Sequence, residues 1–410
     1  MLKTAMCCSA LAIMCAGAAQ AEPLQVALVE TLSGSQASTG LLYRTAAQYG
    51  IAKINAAGGF RGEPIKFVEY DSQGGPVGAA DRVKAAIADG ARVILQGSSS
   101  SVAGQISEDV RKYNLRNKGK EVLYLNLGGE ALELTGEKCH FHVIRTSPNA
   151  AIRFQTLTKG MKELGLMGDK VYSINQNYSW GVDVQSIIKA NAETVGYTVV
   201  GETLHEVNKI QDFSPYVAQI QQSGADTVLT GNWSNDLLLL MKAAADAKLK
   251  VRFGTSFLDQ PGNIGNAGSV AEGNVMSAPF NPELNDATKA FAEDYKAKTG
   301  HYPAYVEPYA VFGMDMFAAA LKSLDDATGP VSANEIVLAL ENTSIETPVG
   351  SLSIRAEDHQ AEMPMIIQEV SKEAAFKVDG TEYGFKPLKV YTGADSADPV
   401  QATCKMKRPG

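Results

Sequence analysis

The apolar positions of this chain change period repeatedly along its length. Short apolar or alternating runs end in Gly, Ser, Thr or Asn, and apolar spacing of three and four follows. "LQVALVETLSG" (24–34) is such a run, with helical spacing over 38–55 behind it. "IKFVEYDS" (65–72) and "EVLYLNLGG" (121–129) are further strands of the first half. In the second half "KVYSINQNYSWG" (170–181), "TVVGETL" (198–204) and "VRFGTSF" (251–257) match them in order. Two segments read as copies: "DGARVILQGSSSS" (89–101) and "SGADTVLTGNWSN" (223–235). Helical spacing flanks the first at 79–88 and 102–113, and the second at 213–222 and 236–247. Strands alternating with helices predict parallel sheets covered on both faces. Right-handed crossovers make each half a doubly wound unit. The expected architecture is therefore α/β, with two similar lobes.

In such sheets a ligand sits beyond the carboxyl ends of the strands. That places the polar clusters 31–34, 97–101 and 128–130 on one rim, and 178–181, 232–235 and 255–259 on the other. Any one cluster is explained by an ordinary polar loop or helix cap. Repetition at equivalent edges is better explained by two rims facing one cleft. The serines 98–101 are the densest cluster. They precede a helix whose first N–H groups are unpaired and carry partial positive charge, so they suit a carboxylate without any Arg.

The ends of the chain change the picture. Lys3, an apolar stretch over 10–19 and the small residues of "AQA" (19–21) form an export signal, with cleavage expected after Ala21. The apolar run is too short to span a bilayer. Cys7, Cys8 and Cys15 leave with the signal, and Cys139 and Cys404 remain. Two cysteines in an oxidising compartment predict one disulfide. The 410 residues are too many for one core, so two domains are expected. The formal charge of −8 argues against nucleic acid and anionic membrane as partners.

At this point the chain resembles the type I periplasmic solute-binding proteins of ABC transporters, typified by the leucine/isoleucine/valine-binding proteins. The resemblance rests on "VALVETLSGSQASTG" (26–40), "INAAGGFRGEPIKFVEYDSQGGP" (54–76), "GSSSSVAGQI" (97–106), "GGEALELT" (128–135), "YSWGVD" (178–183) and "GHYPAYVEPYAVFGMDMFAAAL" (300–321). These span nearly the whole exported chain in family order. The resemblance implies two doubly wound lobes joined by a three-segment hinge at 143–149, 275–281 and 350–358. Residues 1–21 are then the signal, 22–146 plus 279–354 the first lobe, and 147–278 plus 355–410 the second. It also implies a monomer in the periplasm that closes on a small ligand and delivers it to a membrane permease, with no cofactor.

The resemblance places the carboxylate-binding serine at Ser98 or Ser99, with Ser100 beside them, and further donors at Gly128, Gly129 and Glu130. Trp180, or its neighbour Tyr178, and Trp233 occupy aromatic contact positions. Tyr305 and Glu307 match another contact segment. Phe257 stands where amino-acid-binding members place an acidic residue for the ligand's ammonium. A buried ammonium needs a carboxylate partner, which leaves Glu130, Asp259 or Glu307 as candidates. Without one, the ligand is a carboxylate or amide lacking an amine. Rim aromatics then favour an aromatic carboxylate such as a benzoate or cinnamate derivative.

Enzyme signatures are missing: there is no Gly-x-Gly-x-x-Gly, no Walker A and no Gly-x-Ser-x-Gly. Ser186-Ile-Ile-Lys189 and Lys298-Thr299-Gly300 resemble two motifs of penicillin-interacting enzymes, but the first lies inside an amphipathic helix. "CHFH" (139–142) alternates as a strand with both histidines on one side, and no second ligand pair follows at metal spacing. A soluble ligand-sensing protein is the alternative class. Such a sensor usually carries a signalling module, and none is read before Gly410.

Overall fold

The computed structural model describes residues 23–327 and 329–409, so the export signal lies outside the described residues. Five parallel strands form the first sheet: β1 (Gln25–Glu30), β2 (Lys66–Asp71), β3 (Val93–Gln96), β4 (Leu123–Asn126) and β5 (Val143–Arg145). Their spatial order is β2-β1-β3-β4-β5. The helices α1 (Ala37–Ala56), α2 (Pro76–Ala88) and α3 (Ser100–Arg116) connect the first four strands. Val26, Leu28, Val93 and Leu95 are fully buried, as expected of strands covered on both faces.

The second sheet follows the same plan. After α4 (Ala150–Glu163) come β6 (Lys170–Gln176), α5 (Ser179–Val195), β7 (Thr198–His205), α6 (Ser214–Ser223), β8 (Thr227–Thr230), α7 (Asn235–Asp246), β9 (Arg252–Thr255), α8 (Asn263–Ala267) and β10 (Val275–Ala278). The chain then returns to the first lobe through α9 (Asp286–Thr299), α10 (Glu307–Lys322) and α11 (Ala333–Glu341). A small antiparallel sheet follows: β11 (Ser344–Thr347), β12 (Gly350–Ile354) and β13 (Ala361–Glu362). Finally β14 (Met365–Ser371) and β15 (Gly384–Tyr391) add an antiparallel hairpin to the edge of the second sheet, and α12 (Gly393–Ser396) precedes the tail. The second sheet thus runs β15-β14-β10-β9-β8-β6-β7.

Three details depart from the sequence reading. The second sheet is not wholly parallel, because β14 runs against its neighbours β10 and β15. The segment 350–358 is strand β12 plus a turn, and β13 pairs back onto it, so the passage to the second sheet runs through 363–364. "CHFH" is not a strand. A backbone bond from Val143 N to His140 O (3.1 Å) closes a turn there. His140 meets Ser107 while His142 meets Asn334, so the two rings serve different neighbours. Cys139 and Cys404 are disulfide-bonded, with Cα atoms 5.5 Å apart, as the oxidising compartment predicted. Among the described residues no helix is long and apolar enough to cross a membrane.

Candidate functional site

The carboxyl edges of the two sheets face each other across a cavity of about 30 Å³. The first lobe contributes Thr39, Tyr43 and Gly97, the serines 98–100, Gly128 and Glu130. The second contributes Tyr178, Trp180, Trp233 and Phe257. Tyr305, Val306 and Tyr309, at the start of α10, close one side. Ten of the sequence-derived positions therefore meet in one place; Gly129, Asp259 and Glu307 stand outside it.

The serine loop is built around Glu30, a carboxylate at the end of β1 that the sequence reading passed over. Glu30 is fully buried and accepts from Thr31 N (2.6 Å), Gly97 N (2.8 Å) and Ser98 N (3.1 Å). The Ser98 hydroxyl donates to it as well. Burial pushes the Glu30 carboxyl up from its ordinary value, and these donors oppose that rise. Ser98 is thereby turned back toward its own sheet. Ser99 sits in the left-handed region at φ 71°, with its hydroxyl 2.9 Å from that of Ser101. The Ser100 hydroxyl accepts from Glu130 N (3.2 Å) and Ala131 N (3.1 Å), tying the start of α3 to the next rim loop. No side chain caps α3, so its first N–H groups are the unspent donors of this rim.

Close approach explains two glycines. A Cβ at Gly128 would stand 1.7 Å from the Tyr43 hydroxyl, and one at Gly97 would meet the Tyr43 ring at 2.3 Å. Tyr43 occupies the space between them and reaches the Tyr309 hydroxyl at 2.9 Å. Gly129 holds the loop: its N–H donates to Asn126 Oδ1 (2.6 Å), and its carbonyl accepts from Asn126 Nδ2 (2.9 Å).

Glu130 meets Arg153 of α4 across the lobes, Oε2 to Nε at 2.5 Å and Oε1 to Nη2 at 2.7 Å. The two side chains are 4% and 1% exposed, so this is a desolvated pair. Burial disfavours the Arg153 charge, but Glu130 beside it holds the guanidinium above its ordinary value. The guanidinium carbon also lies 4.9 Å from the Phe257 ring centre and 5.4 Å from that of Tyr309. Arg153 was not singled out from the sequence. Its signal was a lone charge on an otherwise apolar helix face in "AAIRFQTL" (150–157).

The second lobe supplies a ring surface. Trp180 and Phe257 lie 5.5 Å apart, and Phe257 meets Tyr305 edge-on at 5.4 Å. Trp180 Nε1 donates to Gly231 O and Trp233 Nε1 to the Tyr178 hydroxyl, each at 2.7 Å. Both indole N–H groups are thus satisfied within their lobe, leaving ring faces for contact.

The two remaining acidic candidates are otherwise engaged. Asp259 Oδ2 accepts from Tyr305 N at 3.1 Å, and burial raises its carboxyl to about 7 against the pull of Arg153. Glu307 accepts from the Tyr295 hydroxyl (2.8 Å) and Ala304 N (3.1 Å) and pairs with His301 Nε2 (2.8 Å), away from the cavity. Among the described residues no group of three His, Cys, Asp or Glu is placed to hold a metal.

Comparison with known proteins fits this geometry. The sequence profile of the periplasmic binding protein family matches residues 23–375. The Leu/Ile/Val-binding protein homolog 4 of Brucella abortus is 67% identical over 410 residues, covering 100% of this chain and 99% of its own. The closed crystal structure of the leucine-, isoleucine-, valine-, threonine- and alanine-binding protein of Brucella ovis has TM-score 0.91 at 69% identity, covering 95% of this chain and 100% of that one. A solute-binding protein of an ABC transporter from Rhodopseudomonas palustris, solved with 3,4-dihydroxybenzoic acid, shares the fold at TM-score 0.77 and 20% identity, over 90% of this chain and 98% of that one. The chain belongs to the periplasmic binding proteins, as a type I member of the Leu/Ile/Val-binding family.

Proposed function

We propose that this protein is exported to the periplasm. There it closes on a small, largely apolar solute bearing a carboxylate and delivers that solute to the membrane permease of an ABC importer. One observation carries the reading: a cavity shared by both lobes sets the uncapped start of α3 against a wall of aromatic rings. The helix terminus with Ser99 suits the carboxylate, and Trp180, Trp233 and Phe257 suit the apolar body. The family is one of binding proteins, and no reaction is assigned to the site.

The first candidate is a hydrophobic amino acid of the leucine, isoleucine and valine class, in line with the names of the Brucella relatives. Its ammonium would lie against Glu130, the carboxylate on the cavity wall. A second reading, an amine-free aromatic carboxylate, is favoured by one contact: Arg153 already holds both oxygens of Glu130.

A thermal-shift panel on unfolded and refolded protein separates the two. A solute at 100 times its dissociation constant stabilises by about 2.7 kcal/mol. A shift with leucine but not with 4-methylpentanoate shows that the ammonium is required and supports the amino-acid reading. A shift confined to benzoate and 4-hydroxybenzoate assigns the amine-free reading. No shift with either class ends the carboxylate proposal. With whichever solute binds, Trp233→Ala is expected to weaken binding by about 2–4 kcal/mol in calorimetry.

A further inference from the structure

The tail beyond α12 does more than end the chain. It leaves the second lobe at Ser396, whose hydroxyl donates to Met363 O at 2.9 Å. Asp398 then passes the hinge, accepting from Asn149 Nδ2 (2.8 Å) and from Arg355 Nη2 (3.4 Å). From there the tail lies on the first lobe. Gln401 Nε2 donates to Leu132 O at 2.9 Å, and Cys404 is bonded to Cys139. Arg408 donates to Ala356 O at 3.1 Å and pairs with Glu341 of α11.

The segment it grips, 130–139, touches the second lobe at two points. Glu130 holds Arg153 there, and Leu132 N donates to Asp183 Oδ2 of α5 at 2.7 Å. Leu132 is therefore held on both sides, its carbonyl by the tail and its N–H by the opposite lobe. We propose that residues 397–404 are a fourth crossing between the lobes. Gln401 and the Cys139–Cys404 bond act as positioning groups that hold the 130–139 loop where it can latch the closed cleft. The opening equilibrium is then set partly by residues that touch no ligand. The inference is independent of which solute the cleft takes.

Residue-resolved amide exchange tests it without any ligand. The Leu132 amide reports the latch, because its acceptor lies on the other lobe. The Leu125 amide in β4 reports the stability of the first lobe alone. In the C139S/C404S variant, Leu132 is expected to exchange faster by roughly fivefold or more, within the usual range of coupling between sites, and by a different factor from Leu125, whose acceleration follows the stability lost with the cross-link. Q401A keeps the disulfide and should show a smaller change in the same direction; it carries the test if the double variant does not fold. Equal acceleration at Leu132 and Leu125 would mean a merely stabilising bond and overturn the proposal. No change at Leu132 in either variant would overturn it too.

Discussion

Arg153 brings a full charge beside the aromatic wall of the cleft, and its tolerance there depends on Glu130. Removing one member of such a pair strands the other, at a cost of about 3–5 kcal/mol. Glu130→Gln and Arg153→Met are each expected to lower stability in urea by that amount. The double variant should lose much less than the sum, since the two changes remove one shared interaction. Strict additivity would show that the pair is not coupled. At this scale the sequence was only partly legible. Residues 98–100, Glu130, Trp180 and Trp233 line the cavity, and as polar and aromatic residues at strand ends they are visible in the pattern. Their bonds are not. Nothing in "GSSSS" shows that Glu30, 67 residues earlier, takes the Ser98 hydroxyl and two N–H groups of the loop. Nor does Phe257, in place of an acidic residue, announce the guanidinium beside it.

Between elements, α5 meets the 130–139 loop through one carboxylate. Burial raises Asp183 from its ordinary 3.8 to about 6, Leu132 N–H pulls it down, nearby Glu133 adds to the rise and Arg145 opposes it. A carboxyl raised in the folded state favours the protonated form there, so its stabilising contribution is present below about pH 4 and lost as pH rises through about 6. The Asp183→Asn variant does not titrate. Its stability relative to wild type should therefore improve by about 1–2 kcal/mol between pH 4 and pH 7, after discounting for partial exposure. A gap that stays constant with pH would mean that burial does not raise the Asp183 carboxyl in the folded state. Legibility at this level followed regularity. Strands and helices of the repeated units were readable from period alone. The hairpin of β14 and β15 was not, because Pro387 interrupts the second strand. The pairing absorbs that proline by a register shift at an edge, where a missing N–H is harmless. "CHFH" misled in the opposite sense: alternation without length is compatible with a turn.

For the whole molecule, the two copies at 89–101 and 223–235 were sufficient to anticipate two facing lobes, and the fold has that form. What they could not convey is how the lobes are held. Glu130 to Arg153, Leu132 to Asp183 and Tyr305 to Asp259 all cross between lobes, and each joins residues distant in sequence. The lobes are thus joined by a small set of polar contacts around an aromatic chamber. That chamber holds both tryptophans of the chain. All indole emission from the native protein therefore originates at the cavity between the lobes, with no background from elsewhere in the fold. Titrating a solute while recording intrinsic fluorescence should shift the entire spectrum and not a fraction of it. The unlabelled protein is then its own optical sensor, and any change in its indole emission on adding a solute reports on that chamber alone.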